Sequence, residues 1–130
     1  MNEAIQVGVV RHTKNYEAML GFYRDRLGMS IKESWDEPDN RGTLLSLGGR
    51  ASNVLIEVVQ ARDEAIPGVK PINVALSIEV AAVDAWYDQL MERGVTIVRG
   101  VEDAPWGQRS FGIDDPDGLR IWYYQDFNPK

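Results

Sequence analysis

The feature that most constrains the fold of this chain is a repeat, in which the same order of predicted elements occurs twice with little sequence identity. Each copy consists of a strand, a helix that a glycine ends, and three further strands. The two helix-ending glycines, Gly28 and Gly94, lie 66 residues apart, and at the same offset Leu20 corresponds to Trp86. Each copy would form a sheet with a helix on only one face. The repeat therefore predicts two βαβββ modules that lie side by side and enclose a cleft.

Two helices are indicated by apolar residues at helical spacing. The stripe of the first helix precedes Gly28 and consists of Tyr16, Met19, Leu20, Tyr23 and Leu27. The stripe of the second helix precedes Gly94 and consists of Val83, Trp86, Tyr87 and Leu90. Glycine readily adopts the left-handed backbone that commonly ends a helix, so both glycines are predicted helix ends.

Eight strands are predicted, four in each copy. They cover residues 4–10, 29–35, 43–47, 53–60, 72–79, 96–100, 108–113 and 119–125. Turn-forming residues predict a loop at 36–42, and the prolines and glycine of 61–71 indicate a linker. We therefore expect a single domain, 1–130, with a first βαβββ module at 1–62 and a second at 70–130.

Composition and charge exclude several classes of protein. A chain of 130 residues suits one domain, and the absence of cysteine excludes disulfides, thiolate nucleophiles and cysteine-ligated metals. The net charge of −6 without a basic stripe argues against binding to nucleic acid or to an anionic membrane. No apolar run approaches the roughly 18 residues of a membrane span, and no signal peptide is visible. We therefore expect a cytoplasmic protein.

The last hairpin has a turn that sets its register. Asp115-Pro116-Asp117-Gly118 predicts a type I turn followed by a glycine bulge, so that Asp115 pairs with Leu119. The face that this register turns toward the cleft carries Gly112 opposite Trp122, Ser110 opposite Tyr124, then Gln108 and, if the strand extends that far, Trp106. The face that should pack under the helix carries Phe111, Ile113, Ile121 and Tyr123. Alternation along the fourth and fifth strands turns Glu57 and Asn73 toward the cleft as well.

Two stretches carry a family resemblance. The helix sequence AMLGFYRDRLG, residues 18–28, resembles the "FY…LG" helix of the vicinal oxygen chelate superfamily. Pro105-Trp106-Gly107-Gln108-Arg109, followed by Asp115-Pro116-Asp117-Gly118, resembles the second-half signature of that superfamily. Its members include glyoxalase I, extradiol dioxygenases, fosfomycin-resistance enzymes, and bleomycin- and mitomycin-binding resistance proteins. The resemblance covers nearly the whole chain. It implies an α+β fold, in which two βαβββ modules form a curved, cleft-shaped mixed sheet with helices on its outer face.

The resemblance also identifies four positions that hold metal ligands in metal-dependent members. In this chain they correspond to Gly8, Glu57, Asn73 and Trp122. Only Glu57 offers a carboxylate, glycine and tryptophan offer no ligand, and the amide of Asn73 is a weak one. We therefore expect no bound metal and no cofactor.

The residues predicted to contact a ligand are one carboxylate, several aromatic rings and several polar groups. Trp106 and Trp122 offer flat walls that favour planar or cationic ligands. Glu57 interrupts an apolar strand, where a carboxylate is costly to bury unless it is paired, hydrated or protonated. Trp35 is placed at the cleft mouth, with its facing undetermined. The full predicted set is Glu57, Asn73, Trp106, Gln108, Ser110, Trp122, Tyr124 and Trp35.

These features favour a metal-independent binding protein of the glyoxalase/bleomycin-resistance type, which sequesters a planar or aromatic ligand such as an antibiotic and has no catalytic residue. The resemblance implies a homodimer. One alternative is a lyase, isomerase or dioxygenase that holds a divalent metal on Glu57 and non-standard partners. Another is a metal-free enzyme in which Glu57 acts as general base.

Overall fold

The computed structural model describes residues 2–61 and 70–127 of the chain. The chain forms two compact units, Met1–Gly68 and Val69–Lys130, and each unit has one four-stranded mixed sheet. This confirms the predicted α+β class and the two βαβββ modules. The predicted linker at 61–71 falls largely on residues 62–69, which lie outside the described residues. None of the helices in the described part of the chain is long and apolar enough to span a bilayer.

The sheet of the first unit has the strand order β1-β4-β3-β2, in which β1 and β4 are parallel and the other pairs are antiparallel. A π-helical turn, Phe22–Arg26, continues the helix, and a short 3₁₀ turn, Gly49–Ala51, precedes the last strand. The elements are β1 Val7–Thr13, α1 Tyr16–Gly21, β2 Ser30–Glu37, β3 Asn40–Ser46 and β4 Val54–Gln60.

The sheet of the second unit has the same topology, with the order β5-β8-β7-β6 and β5 parallel to β8. Its elements are β5 Ala75–Glu79, α2 Val83–Glu92, β6 Ile97–Ala104, β7 Gln108–Asp114 and β8 Arg120–Asp126. The two glycines that revealed the repeat have the expected left-handed backbone, with φ of 74° at Gly28 and 80° at Gly94. The repeat is therefore one of topology as well as of pattern.

Each unit has a core between its helix and one face of its sheet. Met19, Leu45 and Val58 are fully buried in the first unit, where the helix packs against β4. In the second unit the ring of Tyr123 stacks on Phe111 at 5.2 Å and on Trp86 at 5.1 Å. The predicted apolar stripes thus supply the core side of both helices.

The register predicted for the last hairpin is confirmed. Asp115 accepts a hydrogen bond from the amide of Gly118, which has φ of 92°, and the Asp115 amide donates to the carbonyl of Leu119. Gly112 faces Trp122 and Ser110 faces Tyr124 across the hairpin. The residues on the opposite, helix-side face are all buried, namely Phe111, Ile113, Ile121 and Tyr123.

Several predicted boundaries were wrong. The predicted strands at 4–10 and 72–79 begin later, at Val7 and Ala75, because these edge strands start where β4 and β8 first offer partners. Ile72 is 73% exposed. The loop predicted at 36–42 is mostly strand, since β2 and β3 form a hairpin whose turn is only Pro38-Asp39. The sixth strand extends to Ala104 instead of residue 100.

Candidate functional site

The face of the second sheet that points away from α2 carries a row of four residues, one from each strand. Ser77 of β5 pairs with Trp122 of β8, which pairs with Gly112 of β7, which in turn pairs with Arg99 of β6. Directly paired residues project to the same side of a sheet. The open face of the second unit therefore presents a hydroxyl, an indole and a guanidinium side by side.

A pocket of about 420 Å³ lies on this row and on the neighbouring residues of β7 and β8. We refer to it as the second-unit pocket. Its volume lies within the range of roughly 300–1,000 Å³ that small-molecule sites occupy. Its lining consists of Ser77, Arg99, Gln108, Ser110, Trp122 and Tyr124.

The indole of Trp122 lies against the backbone of Gly112. A Cβ atom at position 112 would lie 2.4 Å from Cζ3 of Trp122, which is closer than nonbonded carbon atoms approach. The absence of a side chain at Gly112 therefore allows the indole to lie along the sheet and form a wall of the pocket.

Arg99 reaches this pocket through irregular pairing of β6. Simple alternation would place Arg99 on the same face as Ile97, which pairs with the buried Ile113. The register shifts between Ile97 and Arg99, and again between Arg99 and Glu102, so that Arg99 pairs with Gly112 instead. A β-bulge redirects side chains in this way. The two irregularities therefore turn Arg99 onto the open face.

The guanidinium of Arg99 contacts three partners on this face. It lies 4.7 Å from the ring centroid of Trp122, and its Nη2 donates a hydrogen bond to Oγ of Ser110. Its Nη1 lies 3.3 Å from a carboxylate oxygen of Glu102, a side chain that is 64% exposed. Its Nε is buried and has no hydrogen-bond partner among the described residues.

A second guanidinium, that of Arg120, lies 5.1 Å from the ring centroid of Trp122. Its Nε donates to Asp114 at 2.6 Å, and Nζ of Lys70 lies 3.4 Å from the same carboxylate. Burial raises the pKa of Asp114, but the hydrogen bond from Arg120 and the two nearby cations outweigh it, so the net pKa is lowered. Arg120 is therefore held by an ionised partner in a partly buried position.

Four predicted site residues come together in the second-unit pocket, namely Gln108, Ser110, Trp122 and Tyr124. The structure adds Ser77 and Arg99, which the sequence reasoning missed. For Arg99 the available signal was Gly100, at the end of the predicted sixth strand, because a glycine that a strand continues past often marks a bulge. Ser77 lay on the predicted cleft face but was not selected.

Two predicted site residues do not lie on the strands that were expected to carry them. Trp106 belongs to the turn before β7, because β7 begins only at Gln108, and it is 68% exposed. Its Nε1 lies 3.3 Å from the side-chain oxygen of Gln108. Asn73 precedes β5 and has a φ of 62°, a left-handed conformation that asparagine tolerates better than most residues.

The remaining two predicted residues, Glu57 and Trp35, belong to the first unit. Glu57 is half-buried on β4 and pairs with Val10 of β1 and Leu44 of β3. Trp35 is also half-buried and packs on Gly42, where a Cβ atom would lie 2.3 Å from its Cζ2. The register places Glu57 and Trp35 on the same face of their sheet.

The residues at the four metal positions implied by the resemblance do not fit a metal ion. Gly8 has no side chain, and the ring of Trp122 has two guanidinium groups beside it, which would repel a cation. Within residues 2–61 and 70–127, no group of three or more histidine, aspartate or glutamate side chains could hold a metal. Of the four positions, Gly8 and Trp122 therefore offer no metal ligand, whereas Glu57 retains a carboxylate.

The chain is similar in sequence to known proteins along most of its length. The sequence model of the Glyoxalase/Bleomycin resistance protein/Dioxygenase superfamily matches residues 7–123. The uncharacterized protein YraH of Bacillus subtilis (strain 168) is 29% identical over 119 residues, which cover 85% of this chain and 90% of YraH.

Solved structures resemble the chain as well. A member of the same superfamily from Sphaerobacter thermophilus DSM 20745 has a TM-score of 0.73 and 26% identity, with 95% of this chain and 98% of that chain covered. TnmS3, an antibiotic binding protein from Streptomyces sp. CB03234, has a TM-score of 0.71 and 24% identity over 96% and 97% of the two chains. The family match, the βαβββ topology of both units and these likenesses agree. The chain belongs to the glyoxalase/bleomycin resistance protein/dioxygenase superfamily.

Proposed function

We propose that this protein is a metal-independent small-molecule-binding protein, which sequesters a planar or aromatic ligand such as an antibiotic. The observation that carries the proposal is the second-unit pocket of about 420 Å³, which combines the indole of Trp122 with several hydrogen-bonding side chains. A flat apolar wall with a few polar groups is typical of sites for planar ligands. The structural likeness to TnmS3, itself described as an antibiotic binding protein, supports the same class of ligand.

Binding would consist of enclosure and orientation, without a chemical step. The ligand would lie against Trp122, whose indole has room beside the sheet because Gly112 has no side chain. Hydroxyl and amide groups from Ser77, Gln108 and Ser110, with the phenol of Tyr124, would fix its orientation. Each such hydrogen bond contributes little net affinity but strongly disfavours ligands that leave it unmade.

The proposal also includes four ligand contacts outside this pocket. Trp106 approaches the pocket lining, since its Nε1 lies 3.3 Å from the side-chain oxygen of Gln108. Asn73, Glu57 and Trp35 complete the set.

We further propose that the protein acts as a homodimer in the cytoplasm. Sedimentation velocity should give twice the mass of one chain, and a monomer would contradict the dimer.

Calorimetric titration with a panel of planar polycyclic antibiotics tests the proposed function. We expect at least one compound to bind, and Trp122→Leu to weaken its binding by at least about tenfold, because stacking and buried ring area are lost. Met91→Ala is the matched control, since it removes an apolar side chain that is 52% exposed on α2. Glu57→Gln tests the contact proposed for the carboxylate. Absence of binding across the panel, or equal binding by Trp122→Leu, would contradict the proposal.

Elemental analysis distinguishes this function from metal-dependent lyase, isomerase or dioxygenase activity. Protein purified without chelators should contain no stoichiometric divalent metal. A full equivalent of metal that Glu57→Gln removes would overturn metal independence and favour the enzyme.

A further inference from the structure

The charge of the second-unit pocket differs from the charge of the chain as a whole. The chain carries a net charge of −6. Among the six lining residues, however, Arg99 is the only one with a full charge at neutral pH, and that charge is positive. A single charge in a partly enclosed site acts more strongly on a ligand than the screened average of the surface. The charged side chain that lines the pocket is therefore positive, although the chain as a whole is acidic.

The two arginines beside Trp122 differ in how firmly their charges are engaged. Arg120 is bound to Asp114, and the two side chains are only 29% and 21% exposed. The carboxylate partner of Arg99 is Glu102, which is 64% exposed and lies at 3.3 Å. Exposed ion pairs of this kind contribute little stability. An anionic ligand can therefore displace the Glu102 carboxylate from Arg99 at little cost in stability, whereas Asp114 holds Arg120 in place.

The nitrogens of the Arg99 guanidinium differ in how accessible they are to a ligand. Its Nη2 is engaged with Ser110, and its Nε is buried without a partner in the described part of the chain, so the group open to a ligand is Nη1, which lies beside the exposed Glu102. A guanidinium has five N–H donors in a planar fork, which matches the two oxygens of a carboxylate. Because the guanidinium lies 4.7 Å from the ring centroid of Trp122, an anionic group on an aromatic ligand beside this indole would meet it directly.

We infer that the ligand of this pocket is a planar aromatic anion, such as an aromatic carboxylate, and that Arg99 is the residue that selects it. The inference rests on the proposed function, since it names the ligand class of the same pocket. The ligand anion takes the place of Glu102 at the guanidinium and stacks on Trp122. A neutral or cationic analogue of the same shape stacks equally but leaves the Arg99–Glu102 pair unchanged.

The test uses two probes of the same shape, 2-naphthoate and the uncharged 2-naphthamide, titrated by calorimetry. We expect the wild-type protein to bind naphthoate about tenfold more tightly than naphthamide, because only naphthoate forms charge-assisted hydrogen bonds. Arg99→Met keeps an apolar stem and removes the charge. This variant should bind naphthoate more weakly and so lose the preference, while its affinity for naphthamide should change by less than about twofold. Glu102→Gln should strengthen naphthoate binding, because it removes the competing carboxylate.

Arg50→Met is the matched control, since it removes one positive charge from an exposed turn of the first unit. It should leave the preference unchanged. The inference would be overturned if the wild type bound both probes equally, or if the preference for naphthoate survived in Arg99→Met. In either case, naphthamide binding that depends on Trp122 would still support the proposed function. Failure of both probes to bind would count against both. If Arg99→Met does not fold, Glu102→Gln decides the inference, and unchanged naphthoate affinity in that variant overturns it.

Discussion

Tyr123 and Trp122 are adjacent in β8, yet their rings serve opposite faces of the sheet. Trp122 lines the second-unit pocket, whereas Tyr123 is 2% exposed and stacks between Trp86 and Phe111. Burial raises the pKa of the Tyr123 phenol well above its ordinary value, with a small opposing effect from Arg93. The folded protein therefore holds Tyr123 in its neutral form in alkaline solution.

Stability should fall in alkaline solution because of this phenol. In the unfolded chain Tyr123 ionises near pH 10, while the folded state retains its proton to higher pH. The contribution is thus fully present below about pH 10 and is lost as the pH rises above it. Urea unfolding at several pH values should show a decline that is shallower in Tyr123→Phe. Tyr87→Phe is the control for removal of a phenol, and an equally steep decline in Tyr123→Phe would contradict the prediction.

At the level of elements, the pocket on β5, β6, β7 and β8 depends on one position of β7 that lacks a side chain. Gly112 lies beneath Trp122, and Gly42 lies beneath Trp35 in the same way in the first unit. In both places an exposed face of a sheet carries an indole that lies flat on a glycine. This arrangement orients an aromatic wall without burying it in the core.

Gly112→Ala should destabilise the protein and disturb the pocket. The added Cβ would lie 2.4 Å from the indole, so Trp122 must move, and overpacking of this kind costs about 1–3 kcal/mol. The matched control is Gly100→Ala in β6, where no atom lies within 4 Å of the added Cβ. Chemical unfolding and ligand titration should show losses for Gly112→Ala alone. Equal effects of the two substitutions would contradict the role assigned to Gly112.

The elements also show which features were predictable. The last hairpin followed from its turn, because Asp115 and Gly118 fix the register through local hydrogen bonds and one left-handed residue. The start of β5 did not follow, since an edge strand begins where its neighbour begins, and pattern alone could not reveal that Asn73 lies outside it. No facing was predicted for the sixth strand, and simple alternation would not have placed Arg99 correctly, because the bulges beside it reverse the alternation. Thus features set by neighbouring residues could be predicted from the sequence, whereas pairing between distant segments could not.

At the level of the whole molecule, the fold consists of two units with the same topology. Each unit has one helix, one four-stranded sheet and one covered face. A unit of this size has little core of its own, since small chains bury a smaller fraction of their surface. The small size of each unit favours the prediction that residues 1–130 form one domain.

A single domain predicts a single cooperative unfolding transition. Differential scanning calorimetry should give one peak, with a calorimetric enthalpy equal to the van't Hoff enthalpy. A destabilising variant in the second unit, Gly112→Ala, should shift the whole peak. Two transitions, of which Gly112→Ala shifts only one, would show instead that the two units unfold independently.

The irregular pairing on both sides of Arg99 has a consequence for comparing this chain with its relatives. Because extra residues in β6 set which side chain faces Gly112 and Trp122, an insertion or deletion there exchanges the residue offered to the ligand while β7 and β8 stay unaltered. Ligand preference can then diverge through strand length alone. A gap that an alignment opens in β6 is therefore informative about specificity, and matching residues by column at this strand compares side chains that point in opposite directions.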